Sequence, residues 1–208
     1  MTVASAACAP VPRVCGHRDG GAGRPVWAGR GTRLTVVQPF VRLRPVEGAD
    51  LPQLLRMRWD AEATGEFQWF GYRMDDARRL ERRWHEDGLI ASDAQSFLTV
   101  ASDDDCAGWV GWRPTTFGNF EIGAALFPPF RGRGIGTEAQ RLLVDYLFTT
   151  TAHRLQAGTE VDNMAEKRAL ERLGFTREGI QRGAGFRAGA WRDGVTYSIL
   201  RNEWVRPG

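Results

Sequence analysis

The chain has 208 residues, enough for one domain of ordinary size with its own core. It carries 28 Lys and Arg against 25 Asp and Glu, yet residues 1–34 hold five arginines and one acid, Asp19. That segment is therefore +4 and the remainder −1, which argues against a nucleic-acid-binding domain and leaves no charge signal for a membrane surface. Three cysteines, Cys8, Cys15 and Cys106, make no disulfide framework, so a reducing, cytoplasmic setting is expected. Cys8, Cys15 and His17 match no standard ligand spacing, and no metal is expected. No apolar run reaches the length of a membrane span, and Pro10 and Pro12 interrupt any signal-like stretch.

Residues 1–35 are rich in Gly, Ala, Pro and Arg without a period, the composition of a disordered tail, and residues 36–208 form the expected folded domain. Alternation over residues 38–46 predicts a strand. A helix follows from Asp50, its expected cap, with Pro52 in the first turn. Residues 64–75 read as an aromatic loop, and residues 75–88 as a second helix that Asp75 or Asp76 caps and Gly88 stops. "QSFLTVAS" and "CAGWVGWRP" are a strand pair turning at Asp103–Asp105, and residues 117–127 are another strand.

Next comes "PPFRGRGIGTEAQRLLVDYLF", in which Gly132, Gly134 and Gly136 alternate with Arg131, Arg133 and Ile135. Ile135, Ala139, Leu142, Leu143, Tyr146 and Leu147 then recur as one helical stripe. Residues 153–160 are a short strand. A helix with Asp162 or Asn163 at its cap ends at Gly174, and the remainder reads as two long strands joined by a Gly-rich turn. The order predicts one α/β domain on a mostly antiparallel mixed sheet, with about four helices and one parallel strand pair made by the central crossover.

A helix start offers unpaired N–H groups and partial positive charge, and alternating glycines let an anion approach them. The segment from Arg131 through Gly132, Arg133, Gly134, Ile135 and Gly136 to Thr137 is thus a candidate pyrophosphate cradle. It has neither the G-K-[ST] of a triphosphate loop nor the G-x-G-x-x-G of a dinucleotide domain. Taken alone, a glycine-rich turn decorated with arginine is the other reading.

Arg131 to Gly136 fits R/Q-x-x-G-x-G/A, follows a strand ending in "ALFPP", and precedes "VDNMAEKRALERLGF" and "WRDGVTYSILRNEW". With these segments in this order, residues 38–204 resemble the GNAT family of N-acetyltransferases, most nearly the bacterial ribosomal-protein branch. The resemblance implies a splayed pair of parallel strands. It implies acetyl-CoA with its pantetheine arm along the strand edge near Leu126 and Phe127, its pyrophosphate on residues 131–137, and Asn163 at its sulfur end. Asn163 as a plain helix cap is the alternative.

The chemistry needs a group to take the amine proton and one to reprotonate the thiolate. Glu121 shares a strand face with Gly123 and Ala125 and is the candidate base, or else a structural carboxylate. Many family members carry a Tyr acid seven residues after the helix-start Asn, where this chain has Leu170, and the ribosomal branch often has Ser three residues after it, where this chain has Glu166. Glu166 and Tyr197 are the remaining acid candidates, with solvent as the alternative donor. Phe67, Trp69 and Phe70, on the aromatic loop, either line the acceptor pocket or anchor the loop. Trp109, Trp112, Trp191 and Trp204 are expected in the core or on sheet faces. A non-catalytic acyl-CoA-binding module of the same fold is the competing function. The amine acceptor, protein or small molecule, is open, as is the choice between monomer and homodimer.

Overall fold

The computed structural model describes residues 40–68, 77–91 and 93–205. The expected tail, the caps Asp75 and Asp76, and Trp69 and Phe70 lie outside these residues. Seven strands form one sheet in the order β1-β2-β3-β4-β5-β7-β6. They are β1 Val41–Arg44, β2 Ser96–Ser102, β3 Asp105–Pro114, β4 Phe120–Leu126, β5 Arg154–Glu160, β6 Thr176–Arg187 and β7 Ala190–Leu200. The helices are α1 Leu51–Trp59, α2 Ala61–Thr64, α3 Ala77–Asp87, α4 Ile135–Phe148 and α5 Met164–Arg172. The one-turn α2 brings the described helices to five against the four expected.

β4 and β5 pair parallel through Phe120↔Leu155 and Glu121↔Gln156 alone, while every other described pairing is antiparallel. The sheet therefore opens into a V between β4 and β5, its closed end at Glu121 and its arms ending at Leu126 and Glu160.

Each face has its own core. Ile135, Ala139, Leu143, Val144 and Leu147 of α4 pack with Ile122, Leu155 and Ala157 and with Leu170 of α5. Val46, Leu51, Leu54, Leu89 and Phe97, with Trp84 and Trp109, make the second cluster on the α1 and α3 side. Burying each Leu, Ile, Val or Phe side chain among them is worth about 1.5–3 kcal/mol. Leu142 and Tyr146 fall at the edge of the α4 stripe, Tyr146 being exposed. At Gly108 of β3 a Cβ would stand 2.1 Å from the Ala125 carbonyl, so only glycine lets β3 lie this close to β4.

One local expectation needs correcting. Asp50 does not cap α1 with its side chain. Its buried carboxylate takes Arg44 Nη1 and Nη2 at 2.6 and 2.9 Å, Thr99 Oγ1 at 2.9 Å and the Glu47 N–H at 2.9 Å, tying β1 and β2 to the start of α1. Burial pushes Asp50 upward, but the Arg44, Glu47 and Thr99 hydrogen bonds outweigh it and hold the carboxyl below its ordinary value. Trp191 takes the second of the places expected for it, on the solvent side of β7, 70% exposed beside Phe186 at a ring distance of 5.5 Å.

Candidate active site

The glycine loop follows β4 through a 3-10 turn, Pro128–Phe130, and opens α4 with Gly134 in the left-handed region at φ 80°. Gly132 also has positive φ, 72°, and a Cβ there would meet nothing within 4 Å. The first backbone bond into the helix is Glu138 N–H to Gly134 O at 3.1 Å. Among the described residues, the N–H groups of Gly132 to Thr137 therefore have no acceptor. Such a nest of amides at a helix start suits an anion such as a phosphate.

The two arginines part company. Arg133 is exposed and lines, with Gly134, Ile135 and Arg141, a groove of about 1120 Å³ between β1 and α4. Arg131 turns back: its Nε donates to Leu126 O at 2.8 Å and its Nη2 to Ala63 O at 2.7 Å. Phe127 N–H donates to Ala107 O at 2.9 Å, so two groups of the expected strand edge are already engaged within the protein.

Across the V, Asn163 heads α5. Its Oδ1 accepts from Glu166 N–H at 3.2 Å and its Nδ2 donates to Thr159 Oγ1 at 2.9 Å. Asn163 is thus the cap, rather than Asp162, and is tethered to the end of β5 by a residue that sequence reasoning missed.

Glu121 sits at the closed end of the V. Its Oε2 accepts from Arg113 Nη2 at 2.7 Å, and Gln156 Nε2 stands 3.5 Å away on the β5 side. Strand alternation puts Gly123 and Ala125 on the same face, away from the α4–α5 core. A Cβ at Gly123, or at Gly158 of β5, would meet nothing within 4 Å, so neither arm of the V is crowded there.

The two acid candidates differ. Tyr197 is fully buried beneath α5, where its hydroxyl donates to Glu171 Oε1 at 2.9 Å. Burial, then the Glu171 contacts, raise its pKa. Glu166, in the first turn of α5, lies against α4, its Oε2 accepting from Gln140 Nε2 at 3.2 Å. Burial of the carboxylate pushes it up to about 7, against the smaller downward pull of the Gln140 N–H. Gln140 is itself 1% exposed, and its Oε1 has no partner among the described residues. The signal for this pair was a Gln four residues before core Val144 on an otherwise apolar helix face.

Phe67 lies on the 3-10 turn Glu66–Gln68 with Arg187 Cζ 5.2 Å from its ring centroid. Arg187 forms a bidentate pair with Glu160, the last residue of β5, at 2.5 and 2.7 Å. Neither Glu160 nor Arg187 was legible as a site residue. They lie 27 residues apart, and only the sheet order brings them together.

The family model described as the acetyltransferase (GNAT) domain matches residues 41–176. The chain belongs to the GNAT family. "Probable N-acetyltransferase YjcK" of Bacillus subtilis (strain 168) is 32% identical over 174 residues, covering 78% of this chain and 95% of that protein. Spermidine N-acetyltransferase from Vibrio cholerae, solved with CoA and spermine, shares the fold at a TM-score of 0.66 and 20% identity, covering 78% of this chain and 96% of that one. The yncA protein of Salmonella typhimurium, solved with its cofactor acetyl-CoA, does so at 0.66 and 20%, over 81% and 98%. The parallel V, the glycine loop and the Asn-capped α5 are therefore parts of a GNAT acetyltransferase domain. Among its described residues no helix is long and apolar enough to cross a membrane, and no cluster of three or more His, Cys, Asp or Glu is placed to hold a metal.

Proposed function

We propose that this GNAT domain is an acetyl-CoA-dependent N-acetyltransferase of the cytoplasm that acetylates a primary amine by direct attack in a ternary complex. The observation that carries the reading is the V between β4 and β5, opening where the unsatisfied N–H groups of residues 132–137 begin α4. Backbone N–H groups of the loop, with Arg133 at the rim, hold the pyrophosphate, and the edge of β4 toward Leu126 and Phe127 lines the pantetheine arm. Asn163 closes the far side. YjcK's name and the CoA and acetyl-CoA in the two fold neighbours support this donor.

Acetyl-CoA supplies a thioester carbonyl open to nucleophilic attack. The amine nitrogen bonds to that carbon, the carbon–sulfur bond breaks, one proton leaves nitrogen and one reaches sulfur. Glu121, on the face opposite α4 and α5, takes the nitrogen proton directly or through water. Glu166 returns a proton to the thiolate, because its desolvated carboxyl holds one near neutral pH. Tyr197 orients α5 through Glu171. Phe67 lines the acceptor side.

Purified protein incubated with acetyl-CoA and a panel of α-amino peptides, polyamines and amino sugars should release free thiol only when a suitable amine is present, with the acetylated amine seen by mass spectrometry. Tight acetyl-CoA binding without amine-dependent thiol release across the panel would favour a non-catalytic binding module instead.

A further inference from the structure

Resting on that reading, we propose that Arg131 and Arg187 are positioning residues that latch one segment, residues 60–67, across the open end of the V, and that Arg131 serves this strap rather than the pyrophosphate. The strap is built to be stiff. Asp60 Oδ1 accepts from Glu62 N–H and Ala63 N–H at 3.0 and 3.1 Å, and the single Thr64 hydroxyl proton is shared between Asp60 O, at 2.8 Å from Oγ1, and Met57 O. Ala63 and Thr64 are buried.

One latch comes from each arm. On the β4 side, the Arg131 fork joins Leu126 O to Ala63 O, linking residues 68 apart. Gly65, at φ +87°, makes room for it, since a Cβ there would stand 2.8 Å from Arg131 Nη1. On the β5 side, Arg187 is held bidentate by Glu160, sends Nη1 to Glu66 Oε1 at 3.3 Å and lies against the Phe67 ring. Glu160 shares a strand face with Gln156, which reaches Glu121, so the β5 latch stands on the side from which the amine approaches. The strap is therefore fixed to both splayed strands at once, and it forms the wall that sets how closely an acceptor meets the thioester.

A lysine separates the two roles. It keeps a positive charge for a phosphate but cannot bridge two carbonyls as a planar fork does. In the full chain, hydrogen exchange of the amides of residues 61–67 should speed up by about tenfold in both Arg131→Lys and Arg131→Gln, as a strap released at one end opens locally. The acetyl-CoA Kd of both variants, by calorimetry, should stay within about threefold, whereas a lost charge-assisted phosphate contact would weaken it by about tenfold or more. For the amine found by the panel, KM of the amine should rise while KM of acetyl-CoA does not. Glu66→Gln, at a side chain 70% exposed and safe to alter, should speed exchange at residues 65–67 by a smaller factor. Unchanged exchange in the Arg131 variants, or a large loss of acetyl-CoA affinity that Arg131→Lys restores, would overturn the proposal. Unchanged exchange in Glu66→Gln would remove the second latch. Wild-type protein that fails to bind acetyl-CoA would overturn the proposed function, while the exchange rates would still decide the latch.

Discussion

Glu121 stands opposite Gln156 in the last parallel rung between β4 and β5, and the two strands separate immediately beyond it. The carboxylate is thus at the hinge of the V, held by Arg113 from the neighbouring strand and reached by Gln156 from across the split. A carboxylate fixed from both sides has little freedom to wander.

Glu121→Gln keeps this shape and removes the proposed base. A positioned general base contributes about 10²–10⁴-fold, so kcat should drop by that order at neutral pH. Acetyl-CoA affinity should stay within about twofold, since no phosphate contact is touched. Raising the pH should restore part of the rate because more amine is already neutral. A variant with wild-type kcat for its true acceptor would make Glu121 structural.

Glu166 carries a pH signature. Its carboxyl titrates near 7 in the folded chain because burial disfavours the charge. An acid whose folded pKa is raised binds more protons in the native state, so its contribution is full below the ordinary Glu value and is lost as pH rises toward 7. Glu166→Gln cannot ionise. In urea denaturation it should gain stability relative to wild type at pH 8 but not at pH 4.5, and its kcat should lose the fall above pH 7 expected when the acid deprotonates. Equal stability differences at both pH values would show that Glu166 is ionised at neutrality.

Asp50 answers in the opposite direction. Arg44, Glu47 and Thr99 hold its carboxyl below the usual range, so its stabilisation is present above the ordinary Asp pKa and fades as acid protonates it. Asp50→Ala leaves Arg44 without its buried partner and should cost about 3–5 kcal/mol, measured by urea denaturation at pH 7. The difference from wild type should shrink as the pH falls below about 4. A loss below about 1 kcal/mol would mean the pair behaves as a surface ion pair.

Much of the fold was legible because local pattern and tertiary context agree. Alternation over residues 38–46 marked β1, Gly88 and Gly174 stopped their helices, and the glycine loop announced the start of α4. What stayed hidden shares a cause. Asp50 follows a cap pattern, yet its carboxylate is drawn off by Arg44 and by Thr99, 49 residues away. Arg131 was expected at the pyrophosphate, and its contact with Ala63, 68 residues distant, is one that no local pattern announces. Glu166 was one acid candidate beside Tyr197 and solvent, and its partner Gln140 stands on another helix, 26 residues away. Such partners are chosen by sheet order and helix packing, which a linear pattern does not carry.

The glycine loop offers the most direct test of acetyl-CoA binding. Wild type and Gly134→Asp should be titrated with acetyl-CoA by calorimetry, with circular dichroism to check the fold. Asp is among the residues that tolerate the left-handed conformation at this position, so the fold should survive. The substitution places a side chain and a negative charge at the N–H groups proposed to hold the pyrophosphate, and a lost charge-assisted contact alone is worth about 1.5–3 kcal/mol. Wild type should bind one equivalent, and the variant should bind at least about tenfold more weakly with an unchanged spectrum. Absence of binding to wild type, or equal affinity in the two proteins, would contradict a pyrophosphate site at the start of α4.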